Sequence, residues 1–278
     1  MRLLLALIAV TVLLSPPEVV AGAQDLRLDG DFVQGALVHG TTDPRARVLL
    51  DGRRVRVSPA GRFVIGFGRD APEQARLEVA LPDGRHLERP LHITQRSYQI
   101  QRIDGLPAKM VTPPEEVLAR IRADAALIAE ARAADRAETY FEDGFVWPAT
   151  GIVTGVFGSQ RILNGEPRRP HFGIDIAAPE GTPVKAAAGG VVTVAHADMY
   201  FTGGTVVLDH GHGLTSAYLH LKDVRVTEGQ VVQQGETIGT VGSTGRSTGA
   251  HLDWRLNWFD QRLDPALLVP PMPAPGAN

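Results

Sequence analysis

Nine histidines are spread over 278 residues, and six of them fall between positions 171 and 251, together with Asp175, Asp209 and Asp253. Three short segments hold the densest chemistry: His171-Phe172-Gly173-Ile174-Asp175, Tyr218-Leu219-His220 and His251-Leu252-Asp253. In a strand, residues two or four apart share a face. Read as strands, these segments put His171 with Asp175, Tyr218 with His220, and His251 with Asp253. Phe172, Ile174, Leu219 and Leu252 are then expected to point into a core. A helix would splay 251 and 253 apart. Three polar pairs on one sheet face have the makings of a metal site. A catalytic zinc takes three ligands from His, Asp or Glu and keeps one position for water. His196 reads as a surface residue. His210 and His212, in the turn Asp209-His-Gly-His-Gly213, read as structural.

The surroundings favour strands. Residues 141–269 are rich in Gly, Val and Ile, as in Gly190–Val194, Thr205–Leu208 and Glu236–Val241, with tight turns between them. Upstream, residues 24–105 carry short apolar or alternating runs at Leu26–Leu28, Arg47–Leu50, Val55–Val57, Phe63–Ile65, Leu77–Ala80 and Leu91–Ile93. Asp51-Gly52, Pro59-Ala60-Gly61 and Asp83-Gly84 mark turns. This spacing predicts a small β-sandwich. Its histidines, His39, His86 and His92, are isolated and read as surface or structural. Between the two regions, 106–140 predicts a helical linker. Thr112-Pro113-Pro114-Glu115 has the form of a capping box, and Leu118, Ile121, Ala125 and Ile128 recur at helical spacing. A packing connector is the simpler role for it, and a lid over the site the alternative. Residues 270–278 are Pro-rich and read as a frayed tail.

The first 23 residues read as an export signal. Arg2 is followed by the apolar run Leu3–Leu14, and Ala21-Gly22-Ala23 suits a signal peptidase; an uncleaved anchor is the competing reading. With no cysteine, the chain has no disulfide and no site for a lipid anchor. The formal net charge of −3 argues against a nucleic-acid binder.

The same residues resemble a family. Residues 147–269 are similar to zinc endopeptidases of the LytM and lysostaphin type. The resemblance rests on His171-Phe-Gly-Ile-Asp175-Ile-Ala-Ala-Pro179, on Asp209-His-Gly-His-Gly213 with Ala217-Tyr-Leu-His220, on Glu228–Gly235, and on Gly242–Gly249 leading into His251. It implies an antiparallel β-fold with a central groove (the duplicated hybrid motif), often preceded by accessory domains. The fold expected for the whole chain is therefore mainly β. The resemblance also implies a peptidoglycan endopeptidase in which His171 and Asp175 are metal ligands and His220 and His251 act in catalysis.

One position departs from the pattern. Where the family usually has a third ligand His, this chain has Asp253. Asp can ligate zinc, and the added negative charge shifts preference toward harder ions such as Mn2+ or Fe2+. Asn164, Tyr200 and Tyr218 are candidate substrate contacts along the groove. Peptidoglycan peptides are the expected substrate, with cell-wall or division proteins as candidate partners. The expected location is the periplasm, with secretion or membrane anchoring as the other outcomes of export. Two competing readings stay open: a non-catalytic relative that binds the wall or activates an amidase, and a biotinyl- or lipoyl-like carrier. The carrier reading is weakened because Val226–Gly245 offers no Lys.

Overall fold

The computed structural model describes residues 25–103, 115–163 and 165–273. The expected export signal and the Thr112 cap lie outside these residues. Among the described residues strands dominate and there is one α-helix.

The first eight strands are β1 (Leu26–Asp29), β2 (Leu37–Thr42), β3 (Arg47–Leu50), β4 (Arg53–Val55), β5 (Arg62–Gly66), β6 (Gln74–Ala80), β7 (His86–His92) and β8 (Ile100–Ile103). Strands β1, β2 and β5 form one antiparallel sheet and β4, β3, β6 and β7 another. Alternation explains the packing. On β6, Ala75, Leu77 and Val79 are buried while Arg76 is exposed. They share a core with Val38, Val48, Phe63, Ile65 and Ile93. Asp51 and Gly52 both adopt positive φ (47° and 81°), the hairpin turn that Asp-Gly favours between β3 and β4. Strand β2 is not apparent in the apolar pattern, because Gly40 interrupts it. The glycine is required by packing: a Cβ there would lie 2.0 Å from the Phe63 ring.

Helix α1 spans Leu118–Ala133 and follows a 3-10 turn at Glu115–Val117. Val117, at its N-cap, makes no side-chain capping bond. Twelve strands follow: β9 (Ile152–Gly155), β10 (Gln160–Leu163), β11 (Glu166–Pro167), β12 (Gly173–Ala177), β13 (Pro183–Lys185), β14 (Gly190–Met199), β15 (Gly203–Gly211), β16 (Leu214–Val224), β17 (Val231–Val232), β18 (Thr237–Val241), β19 (His251–Trp258) and β20 (Gln261–Leu263). The main sheet runs β17-β14-β15-β16-β19-β12-β9, all antiparallel, with β13, β18 and β20 attached.

One face of this sheet packs Ile174, Ile176, Tyr218, Leu252, Trp254 and Leu256 into the core. On the other face, Val194, Met199, Val207, Ala217 and Leu219 form a separate apolar patch, and α1 lies on it through Leu127, Ile128 and Ala131. Polar contacts pin the start of the helix: Arg120 to Asp198, and Asp124 accepting from the Tyr200 N–H at 2.7 Å. The N-terminal sheets brace the far end of β19 and β20 through Arg53–Asp260 (2.6 Å) and Arg96–Asp264 (2.8 Å). Gly66 lets the two parts close up, since a Cβ there would meet Trp258 at 2.8 Å.

Candidate metal centre

Strands β12 and β19 pair so that Asp175 lies directly opposite Asp253. Two carboxylates at opposed positions repel each other unless a cation lies between or beside them. His171 sits just before β12 and brings its Nε2 to 3.2 Å from Asp175 Oδ1. That Nε2 is buried and, among the described residues, has no hydrogen-bond partner. One ligand atom each from His171, Asp175 and Asp253 all lie within 4.8 Å of one another.

Glycines make the room. Gly155 on β9 faces Asp175, and a Cβ there would lie 2.2 Å from Asp175 Oδ2. Gly173 faces Arg255 across β12 and β19, and a Cβ there would lie 2.6 Å from Asp253 Oδ1.

His251, two residues from Asp253 on β19, shares its face. Its Nε2 is 3.8 Å from Asp175 Oδ1, while Nδ1 donates to the Gly249 carbonyl (2.8 Å). His220 packs beside it, with ring centroids 4.8 Å apart, and its Nδ1 donates to the Thr244 carbonyl (2.8 Å). A carbonyl can only accept, so in each ring Nδ1 carries the proton and Nε2 is left with a lone pair. Burial, ahead of the opposing Thr244 bond, pulls the His220 pKa below the ordinary imidazole value.

The route by which His220 reaches this face differs from the expected alternation. Register pairs Leu219 with Asp253 and Tyr218 with Trp254. Leu219 therefore lies on the site face, under α1, and Tyr218 lies in the core. Regular pleating would send His220 into the core behind Tyr218. Instead the register of β15 against β16 shifts here, and His220 takes φ +64°, a left-handed conformation that swings its ring onto the site face.

Tyr218 is thereby corrected from groove contact to core residue. Its hydroxyl accepts from the Ala187 N–H (2.8 Å) and bonds to Ser216 (3.0 Å). Phe172 does not enter the core either; it is half-buried, with the Arg262 guanidinium 5.3 Å from its ring centroid. Tyr200 is half-buried beside α1. Asn164 lies outside the described residues. His210 is fully buried, bonding Gly189 O and Ser216 Oγ, and His212 packs on Phe141.

Arg255 is absent from the residues picked out by sequence. Its Nε lies 3.0 Å from Asp253 Oδ1 and its Nη2 2.5 Å from Oδ2. Burial opposes the Asp253 charge, but the guanidinium holds its carboxyl below the usual range. The signal was present: His251, Asp253, Arg255 and Asn257 are alternate residues, the polar complement of Leu252, Trp254, Leu256 and Trp258.

Residues 169–265 match Peptidase family M23. A DD-carboxypeptidase/endopeptidase named Mpg from Neisseria meningitidis is 44% identical over 105 residues, which are 38% of this chain and 24% of that protein. The peptidoglycan DD-endopeptidase ShyA of Vibrio cholerae is 42% identical over 102 residues, 34% of this chain and 24% of that protein. The chain thus spans about a quarter of the length of these relatives. A crystal structure assigned to peptidase M23, from Pseudomonas aeruginosa, superposes with a TM-score of 0.65 at 28% identity, covering 86% of this chain and 95% of that one. Residues 169–265 thus carry a peptidase family M23 domain, and the chain's mainly β architecture is shared with that structure well beyond the matched segment.

Proposed function

We propose that this chain is an exported, metal-dependent endopeptidase that hydrolyses peptide cross-links of bacterial peptidoglycan. The observation that carries the reading is the convergence of an unpartnered, buried imidazole nitrogen on two opposed carboxylates, with a glycine facing each carboxylate's side of the site. This donor set fits a divalent cation. His171, Asp175 and Asp253 would hold it, with zinc as the expected ion and Mn2+ or Fe2+ favoured more than in an all-histidine site. The chemistry supplied at such a site is polarisation of a water molecule and of the scissile carbonyl by the bound cation.

The remaining steps belong to the two histidines. In both, Nδ1 bonds a backbone carbonyl, which leaves Nε2 as the nitrogen able to accept a proton. One takes the proton of the attacking water and returns it to the leaving amine. The other bonds the carbonyl oxygen as charge develops there, a contact worth roughly 10²–10³ in rate. Helix α1, laid on the apolar patch next to Leu219, forms one wall of the groove. Neisserial Mpg and cholera ShyA, named as peptidases of this kind, support the substrate class.

A second reading has one observation in its favour. Arg255 engages both oxygens of Asp253, so this carboxylate is compensated without a cation. Under that reading the chain binds the wall or activates an amidase and does no chemistry. A single experiment separates the two. Purified protein is loaded with zinc and incubated with wall sacculi, and the soluble fragments are identified by mass spectrometry. Peptide-cleaved fragments that vanish with chelator and return with zinc support the peptidase. Stoichiometric zinc with no fragments refutes it, as does near-wild-type release by a His251→Ala variant for the role given to that residue.

A further inference from the structure

The polar face of β19 continues past Asp253 into Arg255 and Asn257, and other arginines gather there. Arg262 on β20 faces Asn257 in register, donates to its Oδ1 at 3.3 Å and lies over Phe172. Arg132 occupies the last turn of α1. The preceding Ala131 packs in the patch with Ala217, which is the register partner of Arg255. Three elements thus deliver three guanidinium groups to one end of the site, and exposed Arg169, two residues before His171, adds a fourth nearby.

Their charges are poorly answered. Asp253 is engaged by Arg255, and Asp260, an acid whose charge acts on Arg262, is exposed and paired with Arg53. Among the described residues neither Arg132 nor Arg262 has a carboxylate within salt-bridge distance, and the Arg132 guanidinium makes no hydrogen bond. Burial, then the neighbouring arginines, push Arg132 down to about 9 and Arg262 to about 10. Both stay charged at neutral pH. Clustered, partly desolvated cations are costly unless an anion joins them. A planar carboxylate matches guanidinium geometry.

We infer that Arg132, Arg262 and the free N–H groups of Arg255 form a subsite for a carboxylate of the peptide substrate, on the side of Asp253 away from His220 and His251. This rests on the peptidase reading for the identity of the ligand. Strand rise is about 3.3 Å per residue, so two positions along β19 are roughly 7 Å. The recognised carboxylate therefore belongs within about two residues of the scissile bond, either at a chain terminus or on a side chain. Helix α1 then contributes a binding residue as well as a wall.

The test uses the full-length mature chain and synthetic wall-stem peptides that differ only in having a carboxylate or a carboxamide, one pair altered at the C-terminus and one at a side chain. Binding is measured calorimetrically on chelator-treated protein, so it does not depend on turnover. One free-carboxylate peptide is expected to bind about tenfold or more tightly than its carboxamide twin. The pair that shows the gap identifies the carboxylate. Arg132→Gln and Arg262→Gln should each erase most of the gap, with Arg132→Lys and Arg262→Lys intermediate as folded controls. With zinc-loaded protein, the Gln variants should raise KM far more than they lower kcat. Equal binding within both peptide pairs, or an undiminished gap in the Gln variants, overturns the subsite. Carboxylate-dependent binding without cleavage keeps the subsite and removes the peptidase reading; cleavage indifferent to the carboxylate does the reverse.

Discussion

His220 reaches the site only because its backbone is left-handed, and this has a measurable cost. A non-glycine residue at φ +64° is strained by about 1 kcal/mol or more. Replacing His220 with Ala keeps that strain and loses both the packed ring and the bond from Nδ1 to Thr244 O, about 2 kcal/mol together. Replacing it with Gly loses the same contacts but releases the strain. At Leu219, one residue earlier in regular strand, Gly should instead be about 0.5–1 kcal/mol worse than Ala. The expected order is therefore inverted between neighbours: His220→Gly above His220→Ala by about 1 kcal/mol, and Leu219→Gly below Leu219→Ala. Urea unfolding of the four chelator-treated variants reads this directly, and a gap of 1 kcal/mol corresponds to about 2–4 °C in Tm. Both His220 variants should lose roughly 10²–10⁴ in wall hydrolysis whatever their stability. If His220→Ala proves as stable as, or more stable than, His220→Gly, the bulge is not what aims the imidazole.

Three further outcomes are expected. Gly155→Ala places a methyl group 2.2 Å from Asp175 Oδ2 and must displace the carboxylate; zinc affinity, read by competition with a chromophoric chelator, should fall about 10–100-fold, and an unchanged affinity would falsify the ligand role of Asp175. Asp253→Ala leaves Arg255 uncompensated and should cost about 3 kcal/mol, the low end for a buried pair because Arg255 is partly exposed, whereas Asp253→Leu with Arg255→Met should stay within about 1 kcal/mol of wild type in the same unfolding assay. Equal losses in both would mean the ion pair is not the unit. His210, fully buried, has its pKa pushed down to about 4, from an ordinary 6.5, first by desolvation. Its neutral form is the folded one, so its contribution, on the order of 3 kcal/mol, is complete above pH 6.5 and drains away as pH falls toward 4. Asp209 next door, pushed up to about 6 by burial, works in the opposite sense: its contribution is complete below about 3.8 and lost as pH rises through 6. The clean readout is the stability gap between wild type and His210→Gln, which should shrink between pH 7 and pH 4.5; parallel curves would count against the assignment.

The chemistry was legible where it followed strand periodicity. His251 and Asp253 share a face, and Asp175 and Asp253 meet across paired strands. Ile174 and Leu252 are in the core as alternation requires. Periodicity misled at Tyr218-Leu219-His220, because one left-handed residue inverts the parity of a single side chain and leaves no mark in composition. Strand β2 was obscured by Gly40, whose role appears only once Phe63 is folded over it. Arg255 was visible as the next alternate residue after Asp253. A search for metal donors does not single it out, because an arginine is none. The apolar patch beneath α1 depends on which strands become neighbours, a long-range fact that local pattern does not carry.

Strand β19 divides its labour by parity. Its even-numbered residues, Leu252, Trp254, Leu256 and Trp258, are sealed into the interior and set the backbone, while the odd-numbered ones, His251, Asp253, Arg255 and Asn257, carry the polar groups of the opposite face. A donor on the odd track can be exchanged for one of different charge, and its neighbour retuned to match, with no disturbance to the scaffold beneath. An insertion of one residue, by contrast, would turn the whole row inside out. Such a strand permits the cation preference of an enzyme to drift while its architecture stays fixed.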